Sequence, residues 1–207
     1  MVSRTRHHWT WRPQFLAAIK ATGAPEPAVL AFSMLFWSGM RKGELLALTL
    51  ADFDFTEGSI SITKSCSFSK GRDLIQDTKT PKGRRTILMP GVLMADVQAY
   101  AARLYGLQPS DRLFPRSTRD MLRRWMKRGS AAAGVKRIRI HDLRHSHASL
   151  LIEMGFSPLL IAERLGHESI DTTLQTYSHL YPNKQSELAA KLETMIKCYY
   201  SATVKKS

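Results

Sequence analysis

Apolar and polar positions alternate along this chain in two rhythms. Over residues 11–21, Phe15, Leu16 and Ile19 recur at helical spacing. The turn Gly23-Ala24-Pro25 follows, and residues 27–38 form a strongly apolar run read as a buried helix that Gly39 ends. A third helix is predicted over 41–48. Four short segments rich in β-branched or alternating apolar residues come next, at 53–55, 59–65, 74–80 and 85–89, punctuated by Gly58, Gly71 and Pro81-Lys82-Gly83. They predict a small antiparallel sheet of about three strands. Pro90 is placed as the first residue of a helix reaching about Tyr105. Helical spacing then dominates over 117–133, 141–154, 158–165, 170–179 and 183–197, with Gly155, Gly166 and Pro182 as breaks. Helices, a small sheet, then helices make an α+β, mostly helical class without the strand–helix alternation of a doubly wound sheet.

Length and composition add that the chain folds and that its partner is polyanionic. The 207 residues suit one domain, and 43% apolar residues suffice for a core. Lys and Arg total 31 against 17 Asp and Glu, a net charge of +14. Such an excess favours nucleic acid, because each neutralised phosphate releases a condensed counterion. Charge alone leaves an anionic membrane open. The longest apolar run is too short to span a bilayer, and the N-terminus lacks a signal core. Two distant cysteines form no disulfide framework and no metal motif, which fits a cytoplasmic setting. Residues 1–10 read as a linker, 11–181 as the main domain and 182–207 as a terminal helix and tail.

Candidate chemistry lies mostly in the C-terminal third. On a helix, His141, Arg144 and His145 share one face, and Leu143, His147, Leu150, Leu151 and Met154 form the apolar stripe opposite. His141 and Arg144 are therefore expected to point together away from the core, as a phosphate oxyanion requires; a solvated polar face is the plain alternative. His147 reads as a hydrogen-bonded core histidine. His141 and His145 also stand four apart, as in a zinc helix, but no acidic ligand cluster accompanies them. His167 sits on a turn fixed by Gly166, and Tyr177 follows ten residues later. Arg41 opens a helix after a glycine turn, with Glu44 within pairing reach. A basic hairpin carries Lys79, Lys82, Arg84 and Arg85, and a helical stripe carries Arg119, Arg123 and Lys127. Both suit contact with a phosphate backbone, and both are also what solvated surface looks like.

Together these segments resemble the tyrosine recombinase, or phage integrase, family, especially the integrases of conjugative transposons and prophages. The local text GMRKGELLAL, TKTPKGRRTI, HDLRHSHASLL and LGHESIDTTLQTYSHL carries the likeness over roughly residues 10–195. The resemblance implies a DNA breaking-and-rejoining catalytic fold with Arg41, Lys79, His141, Arg144, His167 and Tyr177 as the catalytic set. It implies that Tyr177 attacks a DNA phosphodiester and becomes covalently joined to the 3′-phosphate. Arg41 and Arg144 clamp the oxyanion, and His141 and His167 add hydrogen bonds, one of them taking the tyrosine proton. Lys79 protonates the departing 5′-oxygen. Glu44 supports the Arg41 region. No metal or cofactor is implied. The implied partner is double-stranded DNA, with a homotetramer assembling on it from free monomers and the terminal helix packing on a neighbouring protomer. A type IB topoisomerase-like enzyme and a non-catalytic DNA-binding module are the rival classes. Family members usually add an N-terminal domain that completes a clamp around DNA. This chain starts almost at the catalytic domain, so it is expected to be a fragment or a short form with weak DNA binding on its own.

Overall fold

The computed structural model describes residues 11–78, 80–115, 117–181 and 185–204. The predicted linker 1–10 and Lys79 lie outside the described residues. The first helix, α1 (Trp11–Ala21), packs on α2 (Glu26–Ser38), which is apolar on most sides and is surrounded by α1, α4 (Gly91–Ala102), α5 (Ser117–Ala132) and α6 (Asp142–Glu153). Phe15 of α1 meets Phe32 of α2 edge-on at 5.0 Å, and both are buried. Gly129 of α5 lets α1 approach closely. A Cβ there would sit 2.2 Å from Ile19 Cγ2, so α1 and α5 could not keep this separation with any larger residue.

The helix α2 ends because Gly39 takes the left-handed conformation, with φ of 67°, and its N–H caps Leu35 O. That turn launches α3 (Lys42–Ala47). Pro90 stands just before α4 as its N-cap, one position earlier than predicted. The apolar residues of α1–α5 and of the sheet form one core. A second, smaller cluster joins Ala148 and Ile152 of α6 to Ile161 and Leu165 of α7 (Pro158–Leu165) and to Tyr177 at the end of α8 (Ile170–Tyr177). The last helix, α9 (Gln185–Val204), leaves Leu188, Leu192, Met195 and Ile196 exposed. No described helix is long and apolar enough to cross a membrane.

The predicted antiparallel sheet of about three strands is present, and a second sheet of two strands accompanies it. One has β1 (Phe53–Asp54), β2 (Ser59–Ile62) and β5 (Arg85–Leu88) in the order β1-β2-β5, all antiparallel, with Ile60 opposite Ile87. The other is a hairpin of β3 (Lys64–Ser69) and β4 (Arg72–Asp77). Its two-residue turn, Lys70-Gly71, has positive φ at both positions, the primed geometry that matches strand twist. The predicted strand 59–65 therefore breaks at Thr63, where the chain leaves one sheet for the other. The physical reason lies in the pattern. Ile60 and Ile62 alternate and bury one face, while Lys64-Ser65-Cys66-Ser67 has no apolar alternation to keep it on that sheet. The basic stretch after β4 is accordingly not a hairpin tip. It links the two sheets through a 3₁₀ turn at Pro81–Gly83.

Candidate active site

Four separate segments converge at the C-terminal end of α7. That helix stops because Gly166 is left-handed, with φ of 66°, which leaves its last carbonyls without helical partners. Three arginines from elsewhere in the chain take them. Arg85 Nε donates to Arg164 O at 2.8 Å, Arg144 Nη2 to Leu165 O at 2.6 Å, and Arg41 Nη2 to Gly166 O at 3.5 Å. The first two are strong and the third is weak by distance. The negative end of the helix dipole favours cations at this place.

Arg144 is the most buried of the three. It is 3% exposed, and its Nη1 also donates to Gly39 O at 2.8 Å. Burial, and then the neighbouring Arg41 charge, push its guanidinium down to about 9, so it remains charged at neutral pH. This corrects the helix-face reading. Of the predicted polar face, Arg144 is buried, His145 is half-buried and His141 stays exposed, while Met154, placed on the core stripe, is exposed. The helix packs on α2 with one side and α7 with another, so Arg144 meets backbone carbonyls and His145 meets the Tyr177 hydroxyl. His147 is buried, and its Nε2 accepts from Arg164 Nε at 3.1 Å. Burial holds its ring near 3, hence neutral.

Arg41 is the N-cap of α3 and keeps 43% of its side chain exposed. Its Nη1 and its backbone N–H both donate to Glu44, each at 2.8 Å. Glu44 is buried and also receives Arg85 through Nη2 at 2.8 Å and Nη1 at 3.2 Å. Burial alone would raise the Glu44 carboxyl. The Arg85 hydrogen bond and charge, with those of Arg41, outweigh it and hold the group below its ordinary value. A carboxylate whose folded pKa is lowered stabilises the protein above its unfolded value of about 4.3 and loses that contribution as pH falls. Glu44→Ala leaves Arg85 buried without its partner. Urea denaturation at pH 7 is expected to show a loss of about 3–5 kcal/mol, and the gap to the unchanged protein should shrink in acid.

Arg85 was read as a DNA contact. Its side chain is 7% exposed and committed to Glu44, so that reading is corrected: Arg85 belongs to the frame behind Arg41. The sequence concealed this because neighbouring Arg84, with the same charge, does face solvent and pairs with Asp77. Lys82, Arg123 and Lys127 are exposed, and the Arg119 guanidinium lies 3.9 Å over the Phe68 ring of the hairpin.

His141 caps α6 and is pushed below its usual range by burial and then by His145. His167 Nδ1 shares a 2.7 Å hydrogen bond with Thr173 Oγ1, and burial with the Arg144 charge brings its ring down to about 4. Tyr177 is 4% exposed, and burial raises its phenol to about 12. Its hydroxyl lies 2.7 Å from Nδ1 of His145. The sequence had placed His145 on the helix face of His141 and Arg144 and in a zinc pair, and had given it no part in the catalytic set. Its spacing hinted at more, since it follows Arg144 directly and stands one turn from His141. The Arg41 charge reaches His141, Arg144 and His167, and Arg144 in turn acts on Tyr177. Five of the six predicted residues thus share one site, and Lys79 is outside the described residues.

Fold and site together define a mostly helical α+β domain that gathers three arginines, three histidines and a buried tyrosine around one helix end. The phage integrase family model matches residues 12–184, and the chain belongs to that family. It is 32% identical over 205 residues to the ICEBs1 integrase of Bacillus subtilis (strain 168), an alignment covering 90% of this chain and 54% of that protein. The chain thus spans about half the length of the curated relatives it matches. Its fold is similar to that of the Tn1549 transposon integrase solved with circular intermediate DNA, with a TM-score of 0.74 and 23% identity over 90% of this chain and 65% of that one. It is also similar to the catalytic domain of bacteriophage HP1 integrase, with a TM-score of 0.59 and 21% identity over 88% of this chain and 90% of that one. The fold class is that of tyrosine recombinase catalytic domains.

Proposed function

We propose that this chain cuts and rejoins DNA by transesterification, serving site-specific recombination such as integration or excision. The observation that carries the reading is the convergence of Arg41, His141, Arg144 and His167 with Tyr177 at the α7 C-terminus. Tyr177 Oη attacks phosphorus and forms a 3′-phosphotyrosyl bond while the bond to the 5′-oxygen breaks. Arg41, half exposed at the mouth, and Arg144, fixed behind it by two carbonyls, receive the charge that grows on the non-bridging oxygens. His141 and His167, both held largely neutral, donate hydrogen bonds to the same oxygens. Lys79 is the group assigned to protonate the 5′-oxygen. The phosphotyrosyl bond conserves the ester, so rejoining needs neither a nucleotide nor a metal.

Double-stranded DNA is the partner. The net charge of +14 supports this, as do the exposed Lys82, Arg84, Arg123 and Lys127 and the relative solved with DNA. The exposed apolar row of α9 suits a neighbouring protomer in a tetramer on DNA. The deciding experiment offers a suicide DNA duplex and separates covalent protein–DNA adduct on a denaturing gel. Adduct that forms equally with and without EDTA is the expected result. The absence of adduct overturns the proposal, and a requirement for metal overturns its chemistry.

A further inference from the structure

The reading above requires that the Tyr177 hydroxyl lose its proton as it attacks, and the resemblance had assigned that proton to His141 or His167. We propose that His145 accepts the phenolic proton of Tyr177. The inference rests on the proposed cleavage reaction and names a group in it that neither the motif nor the family likeness supplies.

Geometry separates the three histidines. His167 Nδ1 is occupied by Thr173 Oγ1 at 2.7 Å. The His141 ring lies edge-on to His145, with centroids 5.0 Å apart. His145 Nδ1 alone among the three has a described hydrogen bond with the Tyr177 hydroxyl, at 2.7 Å, the two rings tilted by 57°. For Nδ1 to accept, the ring is neutral and carries its proton on Nε2.

The burial of Tyr177 makes such a neighbour necessary. The ring packs against Ala148, Ile152, Ile161 and Leu165 and is 4% exposed, so solvent has poor access to its oxygen. A phenol near 12 is ionised in only about one molecule in 10⁵ at pH 7. It therefore needs a base within hydrogen-bond reach as the bond to phosphorus forms. In the step, the Tyr177 Oη–P bond forms and the P–O5′ bond breaks. The phenolic proton passes to His145 Nδ1, and the 5′-oxygen takes a proton from the acid assigned to Lys79. On rejoining, His145 returns its proton to Tyr177. The imidazolium formed in between has Asp142 close enough on its own helix for the two to interact. His141 and Asp142 from α6, Tyr177 from α8 and His167 from the preceding turn are the titratable groups around it.

The test measures single-turnover adduct formation by the full chain on a duplex pool with randomised flanks and a 5′-bridging phosphorothiolate. The sulfur leaves without a proton, so the acid does not limit the rate. His145→Asn keeps an acceptor where Nδ1 stood but is no base. It is expected to keep the melting temperature and to slow adduct formation about 10²–10⁴-fold. His145→Ala should recover part of its rate when imidazole is added. A His145→Asn chain that keeps the unchanged rate overturns the proton role, and so does a folded His145→Ala chain that imidazole fails to rescue. If His145→Ala does not fold, the Asn variant decides alone. An unchanged chain that forms no adduct overturns the cleavage reaction and this role together, whereas adduct formed at full rate by His145→Asn leaves the cleavage reaction standing.

Discussion

Tyr177→Phe is expected to abolish covalent attachment to DNA while leaving the protein folded. The substitution removes one oxygen from a ring that is otherwise held by apolar neighbours. Phe fills the same space among Ala148, Ile152, Ile161 and Leu165, so no cavity opens. The structural loss is the hydrogen bond to His145, worth about 1 kcal/mol, which a melting curve would register as a small shift. The chemical loss is complete, because a phenyl ring offers no atom that can bond to phosphorus. The two readouts thus move independently: adduct on a denaturing gel disappears, and binding of a DNA duplex persists. Adduct that survives the substitution would assign the nucleophile elsewhere.

Arg144→Ala is expected to damage activity and stability together, which sets it apart from Tyr177→Phe. Removing one preorganised donor from a developing oxyanion slows the chemical step by about 10²–10³-fold. The same guanidinium ties Gly39 O to Leu165 O across the site. Its removal strands two carbonyls in a buried space, at about 1–3 kcal/mol each, although entering water can offset part of this. Urea denaturation beside single-turnover adduct formation reads both effects. Arg144→Lys restores charge but has no planar fork to reach two carbonyls at once, so it should recover stability only in part. Full recovery by lysine would show that charge alone matters at this position.

Much of this was legible in the sequence. The helix boundaries followed from Gly39 and Gly166, whose left-handed conformations end α2 and α7. Arg41, His141, Arg144, His167 and Tyr177 were singled out through the family resemblance, whose motifs keep their order and local text in this chain. The break at Thr63 was hidden, because β3 lies next to β2 in the chain and only loss of alternation marks its departure to another sheet. Lys79 and its role remain a sequence expectation.

The chain by itself determined the elements, their order, the charge that suits DNA and the residue types the chemistry needs, because each is written in local spacing and composition. Only the tertiary structure decided which way those residues face. α6 has neighbours on two sides, so its apolar periodicity marks no single buried face, and Arg144 turned inward. The partners of Arg144, and two partners of Arg85, are backbone carbonyls, which every residue possesses and no side-chain pattern reveals. The contact between His145 and Tyr177 joins positions 32 residues apart, on helices whose packing alone brings them together.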